Sequence, residues 1–477
     1  MTLSTADYEA EDATGLAALV QSGQVSAREV AETAIARIEA LNPLVNAVTL
    51  KAYDSALAEL DARPDRPAFH GVPYLIKDLH APVKGLPLTN GSNLFQNPPA
   101  PFDSTLVARL RAAGFVILGR TNSPEFGLSA STEPHRYGAT RNPWNLERIA
   151  GGSSGGAGAA VASGMLPAAH ATDSAGSIRI PAACNGLVGL KPTRGLNPFG
   201  PHRGDAAHGI SHENAVTRSV RDTAAILDVT AGADVGAPYF SAPPAGGFVA
   251  AIARPPRRLR IGFWQKDFLD GAVDAECSEA VRNAAALLES LGHGVEEARP
   301  DFDWQLMVDS MMNVLTSGLG PMLGMVERQR GTPIGPGDLE PLTLAVLERA
   351  RGASLEFYLT SLMRMQLEVR RMAAFFESYD VLVTPSLTAP PPPLGCLPTD
   401  DADIDGFMAK LFKLCPFTAP FNASGQPAMS LPLHWSADGL PVGVQLVGRY
   451  GDDATLLQLA AQIEQAAPWA CRRPTLG

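Results

Sequence analysis

Two glycine-rich turns, each carrying a serine, constrain the fold of this 477-residue chain more than any other feature. The first reads GGSSGG at Gly151–Gly156 and the second reads TDSAGSIR at Thr172–Arg179. A helix over 154–165 would advance about 18 Å at 1.5 Å per residue. A strand running back to the second turn would cover a similar distance at about 3.3 Å per residue. Both turns therefore open at one end of an α/β layer, which brings Ser153 and Ser177 together.

Two hydroxyl groups beside lightly covered backbone N–H groups indicate nucleophilic acyl chemistry, but serine is a poor nucleophile until a base activates it. The nine histidines offer no obvious base. Among the seven lysines, Lys77 ends a short apolar run, GVPYLIKD at Gly71–Asp78. A lysine at the carboxyl end of a buried strand lies where open α/β sheets place their ligands. Burial lowers the pKa of a lysine, so Lys77 is the candidate base.

Together, these three segments resemble the signature segments of the amidase signature family. The resemblance continues in family order through GATRNPWN at Gly138–Asn145, IPAACNGLVGLKPTRG at Ile180–Gly195, TRSVRD at Thr217–Asp222 and a C-terminal segment at Pro420–Asp453. It covers most of Gly71–Ala231 and about the last 60 residues. The GATRNPWNLER stretch and the alanine of TDSAGS are most similar to the branch of nylon-oligomer (6-aminohexanoate cyclic-dimer) hydrolases.

The resemblance implies the fold and its organisation. It implies an α/β fold, with a single amidase signature domain over 1–477 built on a central mixed β-sheet with helices on both faces. The catalytic core would be 71–231, and the variable region 301–408 would bind the substrate. No cofactor and no metal are implied.

A Ser–cis-Ser–Lys triad is what the resemblance implies for the catalytic residues. Ser177 would attack the carbonyl carbon and form the acyl-enzyme. Ser153, after a cis peptide bond from Gly152, would relay the proton between Ser177 and Lys77. Neutral Lys77 would be the final base.

The second serine turn would also supply the oxyanion hole. The resemblance assigns that role to four backbone N–H groups, those of Ser174, Ala175, Gly176 and Ser177. The family commonly has two glycines before the nucleophile, and Ala175 replaces the first of them here. An alanine would be strained if that position needed a positive φ. Asp173 and Arg179 are expected to brace the turn.

Three classes of function are compatible with these residues. The favoured one is hydrolysis of small apolar or aryl amides, with carbamates and esters possible because they share the carbonyl geometry. The second is the glutaminase subunit of a tRNA-dependent amidotransferase complex. That subunit has a Ser/Gly-rich stretch leading to an SLDQIGP-like segment where this chain reads NPFGPHRGDAAHGISHENAV at Asn197–Val216. The third, a catalytically inactive binding relative, is disfavoured because Lys77, Ser153 and Ser177 are all present.

The first serine turn also has two other readings. Gly151–Gly155 fits the G-x-S-x-G nucleophile elbow of α/β-hydrolases, which needs a strand before it. The preceding residues 142–150 read as a turn and a polar stretch, which disfavours the elbow. A phosphate-binding loop would need Gly-Lys-Ser/Thr after the glycines, and this chain lacks it there.

Methionine is concentrated in the variable region. Eight of the twelve methionines lie between Met307 and Met372. Met307, Met311, Val314 and Leu315 would share one face of a helix. That spacing favours packing into the core. The alternative is that part of 301–408 lines an adaptable apolar tunnel for an acyl or aryl group.

Composition narrows the choice of partners and compartment. A net charge of −11 argues against nucleic acid, which requires a basic face. The acidic N-terminal residues predict no secretory signal, and no apolar run reaches the roughly 18 residues of a membrane span. Five widely spaced cysteines are typical of free thiols. We therefore expect a cytoplasmic monomer or homodimer acting on a small-molecule amide or carbamate, without a membrane partner.

Several elements outside the signature segments are predicted as scaffold. A capping box at Ser26–Glu29 begins a helix that should stop at Asn42–Pro43. Further predictions are a strand at Leu259–Phe263, a helix at Ala275–Leu291, a helix around Leu355–Phe376 and a strand at Val381–Thr384.

Overall fold

The computed structural model describes residues 3–95, 98–269 and 271–476. The strands are β1 (Val48–Lys51), β2 (Pro73–Lys77), β3 (Val116–Thr121), β4 (Arg141–Asn142), β5 (Asn145–Ile149), β6 (Ala168–Asp173), β7 (Val188–Lys191), β8 (His212–Thr217), β9 (Arg260–Phe263), β10 (Gly294–Glu297), β11 (Val381–Pro385), β12 (Ala428–Trp435) and β13 (Pro441–Gly448).

The helices are α1 (Thr5–Ala10), α2 (Ala13–Gln21), α3 (Ala27–Val45), α4 (Tyr53–Ala62), α5 (Thr105–Ala113), α6 (Gly155–Ala162), α7 (Arg179–Asn185), α8 (Val220–Thr230), α9 (Gly247–Ile252), α10 (Ala275–Ser290), α11 (Trp304–Ser317), α12 (Leu319–Arg330), α13 (Pro341–Gly352), α14 (Leu355–Ala373), α15 (Phe375–Ser378), α16 (Ile404–Leu414), α17 (Pro420–Ser424) and α18 (Asp453–Ala466). A short 3₁₀ turn occupies Glu125–Gly127.

A mixed sheet of eight strands forms the centre of the molecule, in the order β10-β9-β11-β13-β12-β7-β8-β6. Its first three strands are parallel and the remaining neighbours are antiparallel. A second sheet, β1-β3-β2, lies against β6. Between β2 and β6, the backbone N–H of Lys77 donates to His170 Nδ1 at 3.3 Å. This contact brings the predicted base beside the strand that leads into the second serine turn.

Helices cover both faces of the large sheet. Successive strand residues point to opposite faces. In β11, Val381 and Val383 belong to an apolar cluster that includes residues of α8, α10 and α18, whereas Leu382 belongs to a cluster that includes residues of α11 and α14. The predicted α/β architecture, a central mixed sheet flanked by helices, is confirmed.

The helix and strand predicted between the two serine turns are both present. The predicted helix over 154–165 is the shorter α6, and the predicted strand over 166–173 is β6. Every residue of α6 is buried and small. A side chain at Gly156 would come within 2.3 Å of the backbone nitrogen of Asn122, so this close approach requires glycine.

The predicted end of the first scaffold helix is wrong. The capping box between Ser26 and Glu29 is present, but α3 continues past Pro43 to Val45. Pro43 lies in the last turn, where its missing N–H costs one backbone hydrogen bond. Asn46 stops the helix instead, with a φ of 50° and an N–H that donates to Asn42 O at 2.8 Å.

The stretch before the first serine turn is also different from the prediction. Asn145–Ile149 forms β5, which pairs with β4 in a two-stranded sheet outside the large sheet and makes an isolated bridge to Pro393. Its exposed Asn145 and Glu147 make it look like a polar loop in the sequence. The other scaffold predictions agree with β9, α10, α14 followed by α15, and β11 within a few residues.

Within the described residues, no helix combines the length and the apolar character that a bilayer crossing requires. The five cysteines all belong to this part of the chain and are unpaired.

Candidate active site

Lys77 lies at the carboxyl end of β2 and is fully buried. Its Nζ lies 2.7 Å from Ser153 Oγ, 2.9 Å from Ser154 Oγ and 2.8 Å from Thr172 Oγ1. A charged ammonium group has three N–H donors, and a neutral amine has two donors and one acceptor. Three hydroxyl partners therefore satisfy Lys77 in either protonation state.

The electrostatic surroundings favour that uncharged form. Burial lowers the pKa of Lys77 well below its ordinary value, while the negative charges of Asp173 and Glu213 act in the opposite direction. Burial is the larger effect because a buried ammonium ion loses its hydration. The lowered pKa favours the neutral amine of Lys77, which has a lone pair that can accept a proton.

The first serine turn places Ser153 against this lysine. The peptide bond between Gly152 and Ser153 is cis, the geometry that the family resemblance implies. Thr132 holds the turn, because its Oγ1 donates to Gly151 O at 2.9 Å and accepts from Gly155 N–H at 3.1 Å. A side chain at Gly152 would come within 2.6 Å of backbone atoms at 129–130, so glycine is required there.

The two serine turns meet, as the helix–strand geometry predicts. Thr172, the last residue but one of β6, donates its N–H to Ser154 Oγ at 3.3 Å. Ser177 follows in the connection between β6 and α7 and is half-buried. Lys77, Ser153 and the turn that carries Ser177 thus lie together at the carboxyl ends of β2 and β6.

Asp173 organises the second turn. Its carboxylate accepts hydrogen bonds from the backbone N–H groups of Gly176 at 2.8 Å and Ile178 at 3.1 Å. Arg179 donates to both carboxylate oxygens, at 2.9 and 3.0 Å. Burial raises the pKa of Asp173, but the charge and hydrogen bonds of Arg179 outweigh burial and hold that pKa below its ordinary value. Asp173 is therefore an ionised brace, as the sequence predicts for both residues.

The second turn carries the four backbone N–H groups that the resemblance assigns to the oxyanion hole. One of them, the N–H of Gly176, donates to the carboxylate of Asp173. Among the described residues, no acceptor lies on the N–H groups of Ser174, Ala175 and Ser177. The positive φ of the turn, 133°, falls at Gly176 and not at Ala175, so the alanine is not strained.

Residues distant in sequence complete the support of the turn. Asn422 Nδ2 donates to Asp173 O at 2.9 Å, and Arg179 Nη1 donates to Gln445 Oε1 at 2.7 Å. Thr418 Oγ1 donates to Ala175 O at 2.6 Å. None of these three was singled out from the sequence. Asn422 and Gln445 do lie in the C-terminal segment that carries part of the family resemblance. That resemblance is the sequence signal that could have identified them.

The methionine-rich helix packs mainly into the core. Met307 and Met311 are fully buried in the cluster on the α11 side of the sheet. A cavity of about 470 Å³ is lined by residues of α11, α12, α13 and α14 together with residues of the loop before β8. Val314, Leu355 and Tyr358 contribute to its wall, and His208 contacts Tyr358 there. Ser211, in the same loop, contacts Ser174 Oγ at 2.6 Å and joins this loop to the second serine turn.

Comparison with known proteins settles the family. Residues 29–457 match the family model named Amidase. The chain belongs to the amidase family. A 6-aminohexanoate-cyclic-dimer hydrolase of Paenarthrobacter ureafaciens is 39% identical to this amidase over 98% of this chain and 97% of that protein.

Solved structures agree with this assignment. A structure of 6-aminohexanoate cyclic dimer hydrolase complexed with substrate aligns with a TM-score of 0.92, 38% identity and coverage of 98% of this chain and 99% of that one. A bacterial aryl acylamidase of the amidase signature family aligns with a TM-score of 0.87 and 29% identity, over 96% of this amidase and 97% of that chain. This amidase is therefore a hydrolase of amide C–N bonds.

Proposed function

We propose that this amidase cleaves small apolar or aryl amides through an acyl-enzyme formed on Ser177, with Ser153 and Lys77 as the proton relay. The observation that carries the proposal is the buried amine of Lys77, 2.7 Å from the hydroxyl of Ser153 after the cis bond. A lysine without its proton is the base that a serine nucleophile needs.

The reaction then proceeds in two balanced halves. Ser177 Oγ bonds to the carbonyl carbon as its proton passes to Ser153, and the Ser153 proton passes to Lys77. Collapse of the tetrahedral intermediate breaks the C–N bond, and the departing amine takes the proton back through the same route. Water then attacks the ester with the same relay, releases the acid and restores Ser177.

Backbone N–H groups of the second turn stabilise the developing oxyanion. We assign this role to Ser174, Ala175 and Ser177, because the N–H of Gly176 donates to Asp173. Donors held in a rigid turn act without reorganisation in the transition state. Arg179 and Asn422 keep that turn in place through Asp173.

The cavity beside α11 is proposed to receive the apolar part of the substrate. It takes residues from 314–358, inside the predicted variable region 301–408, but also from 205–208, inside the predicted core 71–231. The names of the two relatives concern a cyclic amide and aryl amides. Aryl carbamates are included in the proposal because they pass through the same tetrahedral geometry.

Labelling with a serine-directed fluorophosphonate, followed by a substrate panel, tests the proposal. Intact-mass and peptide analysis should find one adduct, on Ser177. Ser174→Ala, which removes a hydroxyl from the same turn, should still label. The panel should show turnover of anilides and alkyl amides above that of glutamine, with carbamates measured alongside. An adduct on another serine, or glutamine as the best substrate, would contradict the proposal.

The cavity assignment predicts a selective effect of Val314→Thr. This change keeps the side-chain volume and adds a hydroxyl to the apolar wall. We expect KM for a bulky anilide to rise about fivefold to tenfold, from about 1 kcal/mol of lost apolar burial, while KM for acetamide stays constant. Val308→Thr, buried on the same helix but outside the cavity lining, is the matched control. Equal changes for both substrates would refute the assignment.

A further inference from the structure

A buried carboxylate lies behind the proposed base, with no cationic side chain close to it. Glu213 belongs to β8 and is 3% exposed. Within the described part of the chain, no arginine or lysine nitrogen comes within 4.0 Å of its carboxylate. The side chain that does is His170, whose Nε2 lies 3.6 Å from Glu213 Oε2. Buried glutamates are ordinarily paired with a cation, so Glu213 indicates a function beyond packing.

The pairing of β6 with β8 places Glu213 on the face that meets Lys77. Glu213 is directly opposite Thr172 in this antiparallel pair, so the two side chains point to the same face. His170, two residues before Thr172, shares that face. Thr172 Oγ1 in turn lies 2.8 Å from Lys77 Nζ. The strand pair therefore groups a carboxylate, an imidazole and a hydroxyl beside the proposed base.

His170 links Glu213 to the backbone of Lys77. Its ring is fully buried, and its Nδ1 accepts the backbone N–H of Lys77 at 3.3 Å. A ring nitrogen that accepts carries no proton, so the proton of the neutral ring is on Nε2. That nitrogen faces Glu213 and has no shorter hydrogen bond among the described residues. The carboxylate therefore orients the ring, and the ring fixes the end of β2 from which the lysine side chain begins.

Two carboxylates act on the charge of Lys77, and they differ in their own partners. Burial lowers the pKa of Lys77, and the negative charges of Asp173 and Glu213 oppose that effect. Asp173 is paired with Arg179 at 2.9 Å, so much of its charge is already compensated. Arg203 interacts with Glu213 only from beyond 4.0 Å. Glu213 therefore keeps more of its charge for the lysine.

The other charged and titratable groups around Lys77 do not supply a second such charge. Burial, together with the charges of Arg203 and Lys77, lowers the pKa of His80 well below its ordinary value, so this ring is neutral near pH 7. On β3, Arg120 donates to Lys77 O at 3.2 Å. Arg120 also lies 3.9 Å from the carboxylate of Asp78. Asp78 thus has a cationic partner of its own.

We propose that Glu213 and His170 are positioning residues for Lys77. The carboxylate stabilises the ammonium ion that forms during the reaction, and the imidazole holds the lysine within reach of its proton donor. In this step the O–H bond of Ser153 breaks as an N–H bond forms on Lys77 Nζ. Glu213 stays ionised and His170 keeps its proton. The inference rests on the proposed function, in which Lys77 is the base, and it adds the charge that offsets part of the loss of basicity on burial.

Glu213→Gln tests the charge. The amide keeps the size of the side chain and removes its charge, so the ammonium form of Lys77 loses stabilisation. We expect the acid limb of kcat/KM for an anilide to move about 0.5–1 pH unit to lower pH. Glu368→Gln, in α14, is the matched control, because Glu368 is also buried, at 5% exposed, and accepts the backbone N–H of Asp303. Its acid limb should match that of the wild type.

Direct titration of the amine separates this inference from the proposed function. With ¹³C at Cε of the seven lysines, the resonance of Lys77 is the one that disappears in Lys77→Met. Its titration midpoint should be lower in Glu213→Gln than in the wild type. An unmoved midpoint would overturn the role of Glu213 and leave Lys77 as the base. An acid limb of activity that persists in Lys77→Met would instead remove the base, and this inference with it.

Two substitutions of His170 test the contact to the backbone. In His170→Asn the amide oxygen lies near the place of Nδ1 and can accept the N–H of Lys77, whereas the leucine of His170→Leu cannot. We expect kcat above the acid limb to fall about tenfold or more in His170→Leu and to stay within about threefold of the wild type in His170→Asn, with KM unchanged in both. A His170→Asn enzyme with a tenfold loss of kcat would overturn the role of His170.

Discussion

Ser177→Ala is expected to lower kcat for an anilide by about 10⁴–10⁶-fold, the loss typical of removing a serine nucleophile. The alanine variant has no oxygen to form the acyl-enzyme. The remaining rate would come from substrate binding and the oxyanion hole, whose N–H groups are unaffected. Stopped-flow kinetics should show no burst of released aniline, and the fluorophosphonate adduct should be absent.

Ser174→Ala is the matched control for this prediction. Its hydroxyl contacts Ser211 and lies three residues from the proposed nucleophile, so it reports the cost of disturbing the turn. We expect a small decrease in kcat and normal labelling. Because Ser177 is half-buried, both variants should retain the thermal unfolding of the wild type. A Ser177→Ala enzyme with a normal burst would refute the assignment of the nucleophile.

Lys77 and the two serine turns could be placed together from the sequence because local patterns mark each of them. Lys77 follows an apolar strand, and the two serine turns are separated by a helix and a strand of matching length, so topology alone brings them together. The same reasoning did not identify Thr132, Asn422 or Gln445. Their roles depend on contacts across the sheet, such as the 2.7 Å bond from Arg179 to Gln445, and no short-range pattern specifies such contacts.

Backbone details also needed the structure. The N–H of Gly176 belongs to the glycine-rich turn in the sequence, but only the structure shows that it donates to a side chain three residues earlier, that of Asp173. Whether Ala175 is strained depended on which residue of the turn has a positive φ, and that residue is Gly176. The end of α3 beyond Pro43 depends on how the chain leaves the helix at Asn46. Helix propensity predicts that a helix stops at proline, but it does not specify the residue at which the helix ends.

Lys77→Met is expected to lower kcat by about 10⁴-fold at neutral pH while keeping the fold. Methionine is similar in length and apolar, so it fits a fully buried position, but it cannot accept the proton from Ser153. General bases commonly contribute about 10²–10⁴-fold. The upper end is expected here because serine attack depends on this base and the lysine contacts three hydroxyl groups.

Lys191→Met is the matched control, because Lys191 is also a fully buried lysine whose pKa burial lowers well below the ordinary value. Its Nζ donates to the backbone oxygen of Pro192 at 3.0 Å and does not contact the serine hydroxyls. Losing a buried lysine should therefore alter stability in both variants but catalysis only in Lys77→Met. Equal losses of kcat would indicate a structural role for both lysines.

The pH profile separates the base from a merely structural lysine. Burial lowers the pKa of Lys77, and only the neutral form accepts the proton, so wild-type kcat/KM should fall as pH falls through that pKa and level off above it. In Lys77→Met this acid limb should disappear from the residual activity. In Lys191→Met it should remain where it is in the wild type. An acid limb that persists in Lys77→Met would assign the titration to another group and would remove Lys77 from the role of base.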